Sequence, residues 1–189
     1  MKRTNRLIVA LALASSTLTG TAALGNHHKM SNPTVGGAAM APAKNIVENA
    51  SAAPNLTTLV AAVKAAGLVD TLASPGPFTV FAPTNTAFEK LPAGTVGTLV
   101  KPENKATLTK VLTYHVVAGK LTSTDIVAAI KAGGGTATLT TVAGAKLSAR
   151  LSGNSVVITD GKGGQATVTT VDLMQSNGVV HVIDSVLLP

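Results

Sequence analysis

Cysteine and tryptophan are absent from this 189-residue chain, and other aromatic side chains are scarce: one tyrosine and three phenylalanines. Without a thiol there is no disulfide framework, no cysteine nucleophile and no lipid anchor of the lipoprotein kind. Few aromatic faces remain for stacking on bases or sugars, since Phe78 and Phe81 already share one apolar run. Runs of like charge are missing as well. The fifteen basic residues outnumber the eight acidic ones, giving +7, yet beyond the amino terminus they are spread singly from Lys29 to Lys162. The clustered stripe of a nucleic-acid binder is not there, so no nucleic-acid partner is expected. The longest apolar run, Leu7–Ala14, falls well short of the roughly 20 residues that cross a bilayer.

Enzymatic motifs are equally thin. The chain has no Gly-x-Ser-x-Gly elbow, no His-Glu-x-x-His and no Walker-type Gly-Lys-Ser/Thr. Gly161–Ala166 spells Gly-x-Gly-x-x-Ala, but it separates two strand-like runs where a dinucleotide fingerprint would open a helix, and it reads as a hairpin turn. The carboxylates, from Glu48 to Asp184, show no close pair spaced for general acid–base work. A non-catalytic protein with no cofactor is expected.

What is present begins with Lys2, Arg3 and Arg6, the apolar run, and a small-residue stretch ending Ala22-Ala23-Leu24-Gly25. These are the n-region, h-region and cleavage region of a secretory signal, assigned to residues 1–25. Its removal takes three of the fifteen basic residues, leaving twelve against eight and a charge of +4. The expected location is periplasmic or extracellular. Residues 26–43 are small, polar and without apolar period, a flexible leader or an arm lying on the domain that follows at 44–189. Within that domain Leu56, Leu59, Val60 and Val63 recur at helical spacing behind Asn55 as N-cap, with Gly67 as the stop. A strand is expected at Phe78–Ala82, followed by a helix opened by a Thr86/Glu89 capping box. Further helices are expected over Lys105–Val117 and Thr122–Lys131. Beyond Gly135 the pattern turns to short β-branched runs at 136–142, 146–151, 155–159, 166–171 and 179–188. Helices first and strands later predict an α+β domain with a mostly antiparallel sheet system.

Three stretches, in order and spacing, resemble the fasciclin family: Phe78-Thr79-Val80-Phe81-Ala82-Pro83-Thr84-Asn85-Thr86-Ala87-Phe88, then Tyr114-His115, then Asn177-Gly178-Val179-Val180-His181-Val182-Ile183-Asp184. With Asn45-Ile46-Val47 the likeness covers about residues 44–189. It implies a wedge-shaped β-sandwich of two sheets with helices on one flank, and a role in adhesion or extracellular contact. In adhesive animal members an Asp-Ile pair and the Tyr-His pair are implicated in receptor binding, so the resemblance points to Asp172, Leu173, Tyr114 and His115 as interaction candidates. Thr170-Val171, before Asp172, depart from the charged or proline-containing pairs of those members.

The remaining motif positions read as scaffold. Pro83 stops a strand, Thr84 or Asn85 caps the next helix, His181 is a satisfied strand residue with Asp184 as its surface neighbour, and Asn177-Gly178 makes a tight turn. Positive φ at Gly178 is expected, so that valine there would destabilise by more than about 1 kcal/mol. Tyr114-His115 has two open roles, an internally hydrogen-bonded pair or a contact. The expected partner is a protein or surface component, and the expected state is monomeric. A small-molecule carrier with an apolar pocket is the alternative. Cleavage after Gly25 would also leave Asn26-His27-His28 at the amino terminus, where amine, two amides and His28 could hold Cu²⁺ or Ni²⁺, with His27, Met30 and Met40 nearby.

Overall fold

The structure, a computed structural model, describes residues 33–189. The signal segment and the candidate metal residues His27 and His28 lie outside the described residues. In chain order the elements begin with a hairpin, β1 (Thr34–Val35) and β2 (Ala38–Ala39), turned by Gly36 and Gly37 at positive φ. Three helices follow, α1 (Ile46–Ala52), α2 (Thr57–Ala66) and α3 (Val69–Ala73), and then β3 (Phe78–Pro83). Next come α4 (Asn85–Glu89), α5 (Thr95–Leu99), α6 (Lys105–Tyr114), β4 (Val116–Ala118) and α7 (Ser123–Ala132). The last part is β5 (Thr136–Thr140), β6 (Lys146–Ser152), β7 (Ser155–Thr159), β8 (Gln165–Gln175) and β9 (Gly178–Ile183).

Seven strands form one sheet in the order β4-β3-β9-β8-β7-β6-β5, antiparallel throughout except for the parallel pair β3–β9. The two expected sheets are thus two halves of one. β8 is eleven residues long and serves both, its first residues pairing with β7 and its later ones with β9. Register shifts between Val168 and Leu173 bend it at the changeover. The outer strands β4 and β5 then meet at a single bridge, Val117 to Thr141.

Packing follows from this bend. β3 and β9 are buried along nearly their whole length because both their faces are covered, with Thr79 and His181 the polar residues among them. Val80, Ala82, Val180 and Val182 join the helical core of Ile46, Leu56, Leu59, Val63, Leu108 and Leu112. Phe81 and Ile183 point the other way, into a second core between the sheet halves with Leu147, Ile158, Leu187 and the α7 residues Ile126 and Ile130. β5, with one face in that core, alternates along its whole length, and β6 does so up to Arg150, beyond which Leu151 is exposed.

Of the two readings of residues 26–43, a flexible leader or an arm lying on the domain, the described part, 33–43, agrees with the second: Val35 and Met40 are buried in the helical core. Met40 is thereby removed as a spare metal ligand. Buried Asn49 holds the arm, accepting from Ala41 N–H at 2.9 Å and donating to Ala41 O at 2.8 Å. α4 is capped by Thr84, not Thr86, and Asn85 serves α2. Its Oδ1 accepts from Thr58 N–H at 3.0 Å while its Nδ2 donates to Pro54 O and Thr57 Oγ1. Asn55, expected as that cap, lies in a 3₁₀ turn with its buried Oδ1 unpaired.

Candidate functional site

Tyr114 and His115 end α6 at the place where the carboxy-terminal segment crosses it. The Tyr114 hydroxyl accepts from Gly161 N–H at 2.9 Å and donates to Lys146 O at 3.4 Å. Leu187 N–H, which can only donate, lies 3.0 Å from His115 Nε2. That nitrogen is therefore the acceptor, and the proton sits on Nδ1, which donates to Val111 O at 2.8 Å. Burial away from water lowers the His115 pKa to about 4, a shift opposed by the Val111 carbonyl and the charge of Asp160. The imidazole is neutral and both its nitrogens are used.

His181 has the opposite tautomer for the same kind of reason. Leu121 O can only accept, so Nε2 carries the proton across 2.9 Å, and Nδ1 accepts from Asp172 N–H at 3.3 Å. Burial lowers its pKa too, against the Leu121 hydrogen bond and the Asp172 charge. Its ring stacks on Phe81 with centroids 5.7 Å apart. Asp172 is the one non-glycine at positive φ among the described residues, at +57°. The bend in β8 imposes that conformation, and it aims the carboxylate at the start of α7, where Ser123 donates both its N–H, at 2.6 Å, and its hydroxyl. Leu173 turns into the helical core.

Of the four interaction candidates, Tyr114, His115 and Leu173 are therefore buried and Asp172 is half-buried with its carboxylate engaged. The Asp-Leu and Tyr-His pairs do not form one surface; each fastens a different segment. Asp184 likewise anchors the β8–β9 edge. Burial pushes its carboxyl up, but Thr167 N–H, the Ser185 hydroxyl and Lys90 together hold it below the usual range.

Other groups invisible to motif reading complete the internal network. Asp160 accepts from Lys162 N–H, Gly164 N–H and Leu188 N–H at 2.9, 2.7 and 3.0 Å, so the Gly161–Ala166 amides close a turn and cradle no anion. Asn177 is not the first half of an Asn-Gly turn. The two-residue turn is Ser176-Asn177, Gly178 already pairs in β9, and its φ is not positive. The Asn177 side chain instead ties three segments, accepting from Ile46 N–H at 3.1 Å and donating to Leu72 O and Ser74 O at 2.7 and 3.1 Å. Asn49 and Gln175, joined side chain to side chain, form a second buried polar link.

Among the described residues no group of three histidine, aspartate or glutamate side chains is placed to hold a metal, and no helix is long and apolar enough to cross a membrane. The best-formed cavity, about 30 Å³, is bounded by apolar side chains of α1, α2, β3 and α6 with His115 at its edge. That is room for a water-sized body, against the roughly 300–1,000 Å³ of ligand pockets.

The sequence profile of the fasciclin domain matches residues 54–189. Protein sll1483 of Synechocystis is 48% identical over 152 residues, spanning 80% of this chain and 77% of that protein. Immunogenic protein MPB70 of Mycobacterium bovis is 42% identical over 145 residues, 74% of this chain and 66% of its own. Among solved structures, the fasciclin domain pair of the insect cell adhesion molecule Fasciclin I superposes with a TM-score of 0.68 at 22% identity. That match covers 77% of this chain and 51% of the insect chain.

Proposed function

The chain belongs to the fasciclin domain family, and on that premise we propose that it is an exported, monomeric, non-catalytic binding module that mediates adhesion or matrix association. The observation that carries this reading is where the candidate chemical groups go. His115, His181, Asp160, Asp172 and Asp184 are each committed to backbone N–H or C=O groups of their own chain. Groups so engaged hold loops in shape; they are not poised to exchange protons with a substrate. His115 then acts in recognition indirectly, by fixing residues 186–189 through Leu187, Tyr114 by fixing the turn at Gly161 to β6, and Asp172 by fixing the entry to α7. The small cavities favour contact through the outer surface over carriage of a small molecule.

Attachment of a deletion strain, its complemented parent and the wild type to a solid surface tests the proposal. Loss on deletion with recovery on complementation is expected. Equal attachment by all three would remove it.

A further inference from the structure

Among the described residues the outer face of the β5–β8 half-sheet is largely open: Thr136, Thr138, Lys146, Ser148, Arg150 and Gln165 are exposed, Thr159 and Thr167 half-buried, and Val157 alone of its rows is buried. Its inward side chains, among them Ala137, Leu147, Ala149 and Ile158, fill the second core, and α7 lies on that inner side. Outward, strand register sets side chains in rows. One row runs Thr138, Ser148, Thr159, Gln165 across four strands, and the next runs Thr136, Arg150, Val157, Thr167. Thr140 and Lys146 pair at one end. The spacing is about 4.8 Å across strands and roughly 6.7 Å along them, a regular lattice in which polar side chains predominate.

Two properties of this face bear on what it could bind. The hydroxyls of Thr136, Thr138, Ser148, Thr159 and Thr167 make no hydrogen bond within the chain, as is also true of Thr71, Thr95, Thr107 and Thr109 on the helical side, but here strand register sets them in series on one face. The face also lacks negative charge. Between Lys131 and Val171 the single acidic residue is Asp160, whose carboxylate is buried and bonded to three N–H groups, while Lys146, Arg150 and Lys162 are exposed. The exposed acids Glu48, Asp70, Glu89, Glu103 and Asp125 all belong to the helices or their neighbouring turns. Arg150 is steadied by Gln165 Oε1 at 2.9 Å, which holds its guanidinium over the face.

We propose that this outer face of β5–β8 docks an acidic polysaccharide, a uronate-bearing chain whose carboxylates meet Lys146 and Arg150 and whose hydroxyls bond to the free serine and threonine rows. A charged, multiply hydroxylated polymer matches both properties at once: opposite charge, and donors and acceptors in repeat. Aromatic stacking is not needed, so the scarcity of aromatic residues is no obstacle. The inference rests on the reading of the chain as a matrix-associating module and gives that matrix a chemistry.

The test is binding of the purified mature protein to polygalacturonate by titration calorimetry, with dextran and phosphatidylglycerol vesicles as the other arms. Expected are binding to polygalacturonate that weakens with salt, and none to dextran. K146A/R150A should weaken it by about tenfold. T138V/S148V, which removes two hydroxyls without changing charge, should weaken it several-fold. K64A/K105A, which removes the same charge from the helical side, should leave it unchanged. No binding by the wild type would overturn the proposal, as would equal losses in K146A/R150A and K64A/K105A, or a response to these variants seen with vesicles alone. The strain comparison separates the two readings: deletion that abolishes attachment while polygalacturonate fails to bind refutes this surface and leaves the adhesion role intact.

Discussion

Replacing Gly178 with alanine should damage the fold through a contact, not through backbone conformation. An added Cβ would stand 2.1 Å from Phe78 O and 2.9 and 3.0 Å from Phe78 C and N, where ordinary contact begins near 3.4 Å. The obstructing atoms are backbone of β3, so no rotamer change can relieve the clash. The strands must part by roughly an ångström, and the 3.2 Å bond from Phe78 N–H to Asn177 O is the first to suffer. Overpacking of this kind costs about 1–3 kcal/mol and a lost backbone hydrogen bond about 1 kcal/mol more. A total of about 2–4 kcal/mol corresponds to a fall in melting temperature of about 4–16 °C for a domain of this size. Gly163 supplies the control: its φ is +86° and a Cβ there meets nothing within 4 Å, so alanine costs about 1 kcal/mol of backbone strain alone. Thermal melts followed by circular dichroism, with urea titrations alongside, decide the matter. A Gly178→Ala protein melting within about 2 °C of wild type, or above Gly163→Ala, would refute the steric account.

Three further predictions follow from the buried network. Asn177→Ala removes three hydrogen bonds joining Ile46, Leu72 and Ser74, and should cost about 2–4 kcal/mol in urea titrations; a loss below about 1 kcal/mol would mean water replaces the side chain fully. Asp172→Ala and Asp172→Gly both lose the bonds to Ser123, but glycine accepts a φ of +57° freely, so alanine should be the less stable by about 1 kcal/mol; equal stabilities would show that the bend relaxes. Folded His115 takes up its proton only near pH 4, whereas the unfolded imidazole does so near 6.5. Its contribution is therefore present in full above pH 6.5 and is lost as pH falls from there through about 4, by about 3 kcal/mol in all. Denaturant titrations at pH 7, 5.5 and 4 should show this slope in the wild type and a shallower one in His115→Gln, and parallel slopes would contradict it.

The parts of the fold legible in the sequence were those in which local chemistry and tertiary demand agree. Leu108, Val111 and Leu112 mark the buried side of α6 by their spacing, and Ser155–Thr159 is a strand at the expected bounds. The choice between leader and arm was not legible because Val35 and Met40 are single apolar residues in a polar stretch, and the arm is held by distant Asn49, itself joined to Gln175. Caps misled when the capping group came from elsewhere in the chain, as Asn85 does for α2. Gly178 illustrates a subtler failure. Positive φ was expected there and is absent, and the close approach of Phe78, in a strand far away in sequence, leaves no local mark. The histidines were correctly suspected of internal bonding, yet their opposite tautomers depend on Leu187 and Leu121, which no spacing reveals.

The parallel pairing of β3 with β9 has a kinetic side. From Phe78 with Gly178 to Pro83 with Ile183, each residue of the central pair waits for a partner one hundred positions later. Helices and the β5–β8 meander can form from near neighbours, but β9, the strand that unites the two cores, follows every other described element in chain order. Contacts of such separation slow folding, because loop-closure entropy is lost before their burial is gained. A ribosome-bound chain ending before β9 would hold β3 with one edge unpaired and both cores open.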